Sequence, residues 1–215
     1  MREKAPSVLA AALVCSMAVE PWSMRLPPDD GDGRPSRPKV QAVLRRTFRW
    51  MPEREHAHAF AHVGITVPDV EAALDWYQAV LGFDHLTGPL AVERNEGHLG
   101  DVADELYRET DFESVKLAHL ATANQVTVEL FEFDGTTGDA TTDPTTPGIS
   151  HICVIDPDVE GLAHEIEAAG GEQNTSVRKL FPGQDYRLAY CEDPFGNDIE
   201  IYSHSSERIF SNQTE

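Results

Sequence analysis

Two histidines and two glutamates occupy equivalent places in an internal repeat of this chain. One copy begins HVGITVPDVEAALDWYQAVLGF at His62, and the other begins HICVIDPDVEGLAHEIEAAGGE at His151. Later in the copies, LAHLATANQVTVELF contains Glu129 and LAYCEDPFGNDIEIY contains Glu200. Both glutamates have apolar neighbours, and burying a carboxylate costs free energy unless a cation pairs with it. Two imidazoles and two carboxylates suit one divalent ion, so we predict a site for Ni, Zn, Co, Mn or Fe.

Taken singly, each of these residues has an ordinary structural explanation. A histidine at the start of a strand is most often structural or exposed, and a glutamate in a strand usually faces solvent. Those explanations do not account for the recurrence of both residue types, in register, in both copies. The repeat therefore favours metal binding over four unrelated structural roles.

Each copy of the repeat predicts a strand, a helix and then three more strands. Alternation of β-branched with small or polar residues predicts first strands at 62–67 and 151–155. The helices are expected from Pro68 to Gly82 and at 158–169, and the later strands at 84–90, 114–122, 126–134, 175–180, 186–192 and 198–203. Because side chains alternate along a strand, Glu129 and Glu200 face the side opposite their apolar neighbours.

The two copies differ in length. The histidines are 89 residues apart and the glutamates 71, so the first copy is longer by 18 residues. We expect the excess to lie between residues 91 and 114. A linker rich in Thr, Asp, Pro and Gly joins the copies at 134–148.

These segments resemble the vicinal oxygen chelate superfamily, which includes glyoxalase I, extradiol dioxygenases, methylmalonyl-CoA epimerase and bleomycin-resistance proteins. The resemblance covers residues 58–205 and is most specific in AHVGITVPDVEAALDWYQAVLGF, VTVELFEFD, GISHICVIDPDVEGLAHEIEAAGG and YCEDPFGNDIEIYSHS. It implies an α+β fold in which two βαβββ modules, at about 58–134 and 148–204, form a curled mixed sheet, or cup, around one metal site, with helices outside. The ligands that the resemblance implies are His62, Glu129, His151 and Glu200.

The second carboxylate narrows the chemistry that the resemblance implies. Extradiol dioxygenases use two histidines and one glutamate, which leaves room for catechol and oxygen, whereas Glu129 would fill a position that oxygen needs. Two carboxylates resemble glyoxalase I, a lactoylglutathione lyase that acts on the hemithioacetal of a 2-oxoaldehyde and a small thiol. There a ligating glutamate removes a proton and the metal stabilises the enediolate. We favour Glu200 as the base, with Glu129 assisting or exchanging roles.

Other members of the superfamily remain open alternatives: an epimerase, an extradiol dioxygenase, a thiol transferase or a non-catalytic resistance protein that binds a small molecule. A glyoxalase I also needs cations to hold the carboxylates of its low-molecular-weight thiol co-substrate. We name Arg178, Lys179 and Arg187 as candidate substrate-binding residues, beside Lys116. Alternatively, these cations bind no substrate and are surface charges that balance nearby acidic residues. No pattern for glutathione is recognised, so the thiol stays open.

Charge excludes one class of partner. The 215 residues include 37 acids against 17 Lys and Arg, a net charge of −20, which repels phosphate backbones. Residues 56–215 hold 30 of the acids and 7 of the cations. Such a surface is typical of adaptation to high salt, or of an ordinary acidic cytoplasmic protein. We expect a small-molecule substrate and no nucleic acid. No apolar run reaches about 18 residues, so no membrane partner is expected.

Residues 1–55 differ from the rest, with ten Lys or Arg, an apolar run and the turn-rich stretch PPDDGDGRPSRP. They are interpreted as a disordered or non-native extension, as an export signal over 4–19, or as a genuine extra element. We expect a cytoplasmic protein, with export as the lesser alternative.

The predicted domain covers residues 56–205 and is followed by a tail at 206–215. The two modules pair either within a monomer or between the chains of a homodimer.

Overall fold

The computed structural model describes residues 57–136, 145 and 147–211. The chain divides into units Met1–Ala57 and His58–Glu215, and both copies of the repeat lie in the second. The predicted extension at 1–55 lies outside the described residues, as does most of the linker between the modules. None of the helices within the described ranges has the length and apolar character that a membrane span requires.

The first module forms a four-stranded sheet. Its elements are β1 (His62–Thr66), α1 (Val70–Leu81), β2 (Asp84–Glu93), α2 (Gly97–Leu106), β3 (Ser114–Ala121) and β4 (Thr127–Phe133). The strand order is β1-β4-β3-β2, so β1 is an edge strand. It pairs in parallel with β4, while β3 pairs antiparallel with β2 and with β4. Helix α2 was not predicted, and it lies within the extra length of the first copy.

The second module repeats this arrangement. Its elements are β5 (Ile152–Ile155), α3 (Val159–Ala168), β6 (Glu172–Gln173), β7 (Arg178–Lys179), β8 (Arg187–Glu192) and β9 (Asp198–Tyr202), followed by α4 (Ser206–Phe210). The sheet has the order β5-β9-β8-β6, and β7 also pairs with β8. The α+β class with two βαβββ modules is thus confirmed. The single strand expected at 175–180 is interrupted, because Asn174 and Thr175 both donate to the carbonyl of Tyr190.

Local sequence explains where the two long helices begin. The Asp69 carboxylate accepts a hydrogen bond from the Ala72 amide at the start of α1, and Asp158 accepts one from Gly161 at the start of α3. Helix α1 ends at Gly82, whose φ of 65° is left-handed and favours glycine. Each helix turns its apolar residues toward its own sheet.

The helix-covered faces of the two sheets share one core with α1 and α3. Helix α1 contacts α3, and the Trp76 indole donates to the carbonyl of Ala169 at 3.1 Å. The Tyr77 hydroxyl donates to the Asp193 carboxylate at 2.8 Å in the buried interior. Among the described residues, no strand of one sheet pairs with a strand of the other. Each sheet therefore has a second, open face that is turned away from the shared core.

Candidate metal centre

A carboxylate lies between two imidazoles on the open face of the first sheet. The pairing of β1 with β4 and of β3 with β4 brings His62 and His119 to Glu129. The Nε2 of His62 is 3.5 Å from Oε2 of Glu129, and the Nε2 of His119 is 3.3 Å from Oε1. The Glu129 side chain is 18% exposed. We call His62, His119 and Glu129 the first half-site.

Sequence reasoning missed His119. In the β3–β4 hairpin this residue is the direct partner of Glu129, so their side chains share a face. Pairing the predicted strands at 114–122 and 126–134 as an antiparallel hairpin would have placed His119 opposite Glu129. Its Nδ1 is buried and has no hydrogen-bond partner among the described residues, while its Nε2 lies 3.3 Å from the Glu129 carboxylate, which favours the proton on Nε2.

A second carboxylate occupies the matching place on the open face of the other sheet. The Nε2 of His151 is 3.3 Å from Oε2 of Glu200, whose side chain is 5% exposed. Tyr190 and Cys153 are the direct strand partners of Glu200, and Tyr202 follows two residues later on the same face. The His151 ring stands edge-on to the Tyr190 ring at 5.5 Å. We call these five residues the second half-site.

The neighbours of Glu200 are held in their protonated forms. Burial, followed by the charge of Glu200, raises the pKa of Cys153 to about 12, and the same two causes raise the pKa of Tyr202 to about 12. Burial and a hydrogen bond to Glu200 raise the pKa of Tyr190. All three groups therefore keep their protons at neutral pH, and the Cys153 thiol donates to the carbonyl of Val154 at 3.7 Å.

The four predicted ligands come together as two pairs, one in each half-site. Within the described part of the chain, their ligand atoms do not form a group lying within 4.8 Å of one another. The reason is topological, since both half-sites lie on open faces that are turned away from the shared core. The pairs contain the nitrogen and oxygen donors that a divalent ion takes, and each pair leaves room for further ligands.

A different carboxylate group in the described part does meet that distance, and it has a structural explanation. Asp69, Glu71 and Glu132 have ligand atoms within 4.8 Å of one another. Glu132 accepts a hydrogen bond from the Val70 amide at the start of α1, at 2.9 Å. The Lys116 ammonium lies 3.1 Å from Glu132 and 3.2 Å from Glu71. Since a cation is already bound here, this group fits a capped helix start.

The three predicted substrate-binding cations lie in unlike surroundings. Arg187 donates to Glu160 on α3 and to the carbonyl of Pro157, on the helix-covered side of the sheet. Lys179 is 3.4 Å from Asp185. Arg178 pairs with Leu188, which shares the face of Glu200, and it makes no ion pair with another described residue. A substrate-binding role for these cations stays a prediction, and this placement favours Arg178.

Comparison with known proteins agrees with the two-module fold. A family model described as the Glyoxalase/Bleomycin resistance protein/Dioxygenase superfamily matches residues 59–201, which include the first half-site and all of the second except Tyr202. The chain belongs to this superfamily. Members of the superfamily are often enzymes, and they typically bind a divalent metal.

Individual relatives give the same picture. The chain is 31% identical over 150 residues to a lactoylglutathione lyase from Pseudomonas putida. This alignment covers 66% of this chain and 83% of that protein. A glyoxalase family protein from Bacillus cereus superposes with a TM-score of 0.57 at 20% identity, over 71% of this chain and 97% of that one. A glyoxalase/bleomycin resistance/dioxygenase domain from Frankia has a TM-score of 0.49 at 21% identity, over 68% and 92%. At its 20% identity, the Bacillus cereus structure shows the fold alone.

Proposed function

We propose that this superfamily member is a metal-dependent, glyoxalase I-like lyase that isomerises the hemithioacetal of a 2-oxoaldehyde and a small thiol. One observation carries the proposal. Two histidine–glutamate pairs stand at equivalent places in the two modules, with Nε2 atoms 3.5 and 3.3 Å from the carboxylate oxygens. The likeness to a lactoylglutathione lyase supports the same reaction class.

The donor set fits a divalent ion. His62, Glu129, His151 and Glu200 would hold it, and Glu200 is 4% exposed in a place where an uncompensated carboxylate is costly. When bound, the ion would supply the Lewis acid that makes a carbon-bound proton removable at neutral pH. The residues themselves supply the carboxylate that takes the proton.

We further propose that a second copy of the chain completes each site. The half-sites of one chain are turned away from its shared core, so a first half-site would meet the second half-site of a partner. Phe60, which is 68% exposed, and Ile149, which is 76% exposed, each lie two residues before the histidine of their half-site. In the proposed dimer the partner chain covers both of these apolar side chains. A two-fold dimer of this kind has two identical sites.

The reaction moves one proton between two neighbouring carbons and one proton between their two oxygens. A carboxylate takes the proton from the hemithioacetal carbon, the electron pair of the broken C–H bond forms a carbon–carbon double bond, and the carbonyl electron pair moves onto its oxygen to give an enediolate. The proton then returns to the neighbouring carbon, while the hydroxyl proton of the former hemithioacetal carbon passes to the former carbonyl oxygen and leaves a thioester carbonyl behind. The product is a 2-hydroxyacyl thioester with the same atoms and electrons as the substrate, so no oxidant or reductant is required.

Metal analysis and turnover of the purified full chain test the proposal. We expect about one divalent ion per chain, because a dimer with two sites has two chains. Hemithioacetals of methylglyoxal with glutathione and other small thiols should be converted to thioesters. Chelation should abolish turnover, and added metal should restore it. A protein that binds metal but forms no thioester with any thiol would contradict the lyase and favour another metalloenzyme of the superfamily.

Substitution of a ligand gives a second test. Glu200→Gln should abolish turnover while the fold persists, because the charge that pairs with the ion is lost. Glu105→Gln, at an exposed position of α2, is the matched control and should leave turnover unchanged. Full activity in Glu200→Gln would contradict the site.

A further inference from the structure

The residue that precedes the histidine at the start of each module differs between the two half-sites. Ser150 precedes His151, and Ala61 stands at the equivalent place before His62. The Ser150 hydroxyl oxygen is 2.9 Å from the Nδ1 of His151, where the two groups form a hydrogen bond. The methyl group of Ala61 cannot form such a bond. The repeat therefore keeps both histidines but gives only one of them a hydroxyl partner from the preceding residue.

Both ring nitrogens of His151 face polar atoms. The Nε2 lies 3.3 Å from Oε2 of Glu200, while Nδ1 contacts the Ser150 hydroxyl. The Tyr190 ring stands edge-on to the imidazole at a centroid distance of 5.5 Å. A rotation of the imidazole that moved Nε2 away from Glu200 would also move Nδ1 away from Ser150. The bond to Ser150 therefore restrains the direction in which Nε2 points.

A hydroxyl beside Nδ1 suits each tautomer of the His151 imidazole. A serine hydroxyl both donates and accepts hydrogen bonds, whereas a neutral imidazole donates from one nitrogen and accepts at the other. When Nε2 coordinates a divalent ion, Nδ1 carries the proton and donates it to the oxygen of Ser150. When Nε2 is protonated and directed at Glu200, the Ser150 hydroxyl donates to Nδ1 instead. Ser150 thus provides Nδ1 with a partner in both states.

His62 has different surroundings. Its side chain is 50% exposed, against 33% for His151, and its Nε2 lies 3.5 Å from Glu129. The His119 ring stands edge-on to the His62 ring at a centroid distance of 6.4 Å. Since Ala61 has no hydroxyl, the preceding residue does not restrain the His62 ring.

We propose that Ser150 is a positioning residue, which orients His151 as a metal ligand by accepting a hydrogen bond from its Nδ1. A neighbour that accepts the second N–H of a ligating histidine fixes the tautomer and the ring orientation, and it raises the basicity of the ligating nitrogen. The proposal rests on the metal site of the proposed function but not on the lyase reaction. It makes His151 the more firmly oriented histidine of the two, because Ala61 gives His62 no such acceptor.

Zinc titration of the purified full chain tests this role with three substitutions. Ser150→Ala removes the hydroxyl and should weaken zinc binding by about 10-fold, the lower end of the usual effect, because Ser150 is exposed. Ser150→Thr keeps a hydroxyl and should retain an affinity within a few-fold of the parent. Ser206→Ala, at an exposed position of α4, is the matched control and should leave the affinity unchanged.

Proton NMR of the cobalt-substituted protein separates the orientation of His151 from a general structural effect. The paramagnetic ion shifts the N–H proton of each ligating histidine, and that proton exchanges with water more slowly when it is hydrogen bonded. In the parent, the Nδ1 proton of His151 should exchange more slowly than that of His62. Ser150→Ala should remove this difference and Ser150→Thr should preserve it. Ala61→Ser, which copies the hydroxyl to the first half-site, should slow the exchange at His62.

Parental zinc affinity in Ser150→Ala would overturn the positioning role. A lower affinity with unchanged exchange of the His151 Nδ1 proton would overturn it as well, because the loss would then be structural. A parent that binds zinc but converts no hemithioacetal would contradict the lyase, while the two measurements would still decide the role of Ser150. A parent that binds no divalent ion would overturn both proposals.

Discussion

The open faces of the two sheets carry the same histidine–glutamate geometry but are covered differently. The first face is partly covered by the inserted segment around α2, which has no counterpart in the second module. This segment brings Val92, Ala103, Phe112 and Val115 together, with Tyr107, Leu117, Phe131 and Phe133 packed against them. On the second face Tyr202 packs against Phe210, which in turn contacts Phe181, and tyrosine and cysteine side chains surround Glu200.

The inserted segment reaches the first half-site. Tyr107 packs edge-on against Phe133 at 5.0 Å, and burial together with the charge of Glu129 raises its pKa. Arg94 stabilises the inserted segment. Its Nε donates a hydrogen bond to the Asp104 carboxylate at 2.6 Å, and its guanidinium lies 4.6 Å from the centroid of the Phe112 ring. The comparison indicates that the duplicated strands determine the positions of the ligands. The residues that are inserted or exchanged around those strands determine the surroundings of each ligand.

Of the substitutions that test this comparison, Phe112→Ala should lower the free energy of unfolding the most. Phe112 is 4% exposed at the centre of the aromatic cluster, so its truncation should cost about 3–5 kcal/mol. Hydrogen exchange should then show faster opening of residues 94–113 than of the second module. Leu106→Ala, 67% exposed on α2, is the control and should change the free energy of unfolding by less than about 1 kcal/mol. Equal effects of the two substitutions would contradict a packed cluster.

A smaller effect is expected from making the first half-site resemble the second. In Gly64→Cys the new Cβ would lie 3.1 Å from the ring of Phe131, so the ring must shift. We expect a loss of about 1–3 kcal/mol in the free energy of unfolding, measured with denaturant. Cys153→Gly removes a side chain from the exposed edge strand and should cost less. A more stable Gly64→Cys protein would contradict the close approach of Phe131.

The hydrogen bond between the modules should give the smallest effect. Tyr77→Phe removes the donor to Asp193, at a cost of about 1 kcal/mol. Burial, then Asp193, raises the pKa of Tyr77 well above 10.0. The unfolded chain therefore ionises first as pH rises past about 10, and stability falls there; below that pH the contribution is fully present. Denaturant curves from pH 8 to 11 should show a shallower decline for Tyr77→Phe, and identical slopes would contradict this.

Much of the site followed from the sequence. The repeat predicted that the histidines at the starts of the first strands approach the glutamates of the last strands, and His62 and His151 lie 3.5 and 3.3 Å from Glu129 and Glu200. That all four residues hold one ion stays a prediction. His119 was missed because its role depends on the register of a hairpin, which a single strand pattern does not reveal. The same limit applied to the tyrosines beside Glu200.

Helix α2 was missed for a different reason. Its buried residues are the small ones, Gly100 and Ala103, while Leu99, Val102 and Leu106 are exposed. A Cβ on Gly100 would meet the carbonyl of Glu93, so the helix packs through close backbone approach rather than through an apolar stripe. How the modules pair also escaped the sequence, because the linker is long enough for pairing within or between chains.

Complementation between two inactive chains is the most direct test of the central claim that each site joins half-sites of two copies. His62→Ala inactivates the first half-site and His151→Ala the second. A heterodimer isolated by two different affinity tags would contain one intact site out of two. It should therefore recover about half of the parental metal content and turnover, while each homodimer stays inactive. A purified heterodimer with no recovered activity or tightly bound metal would contradict the account.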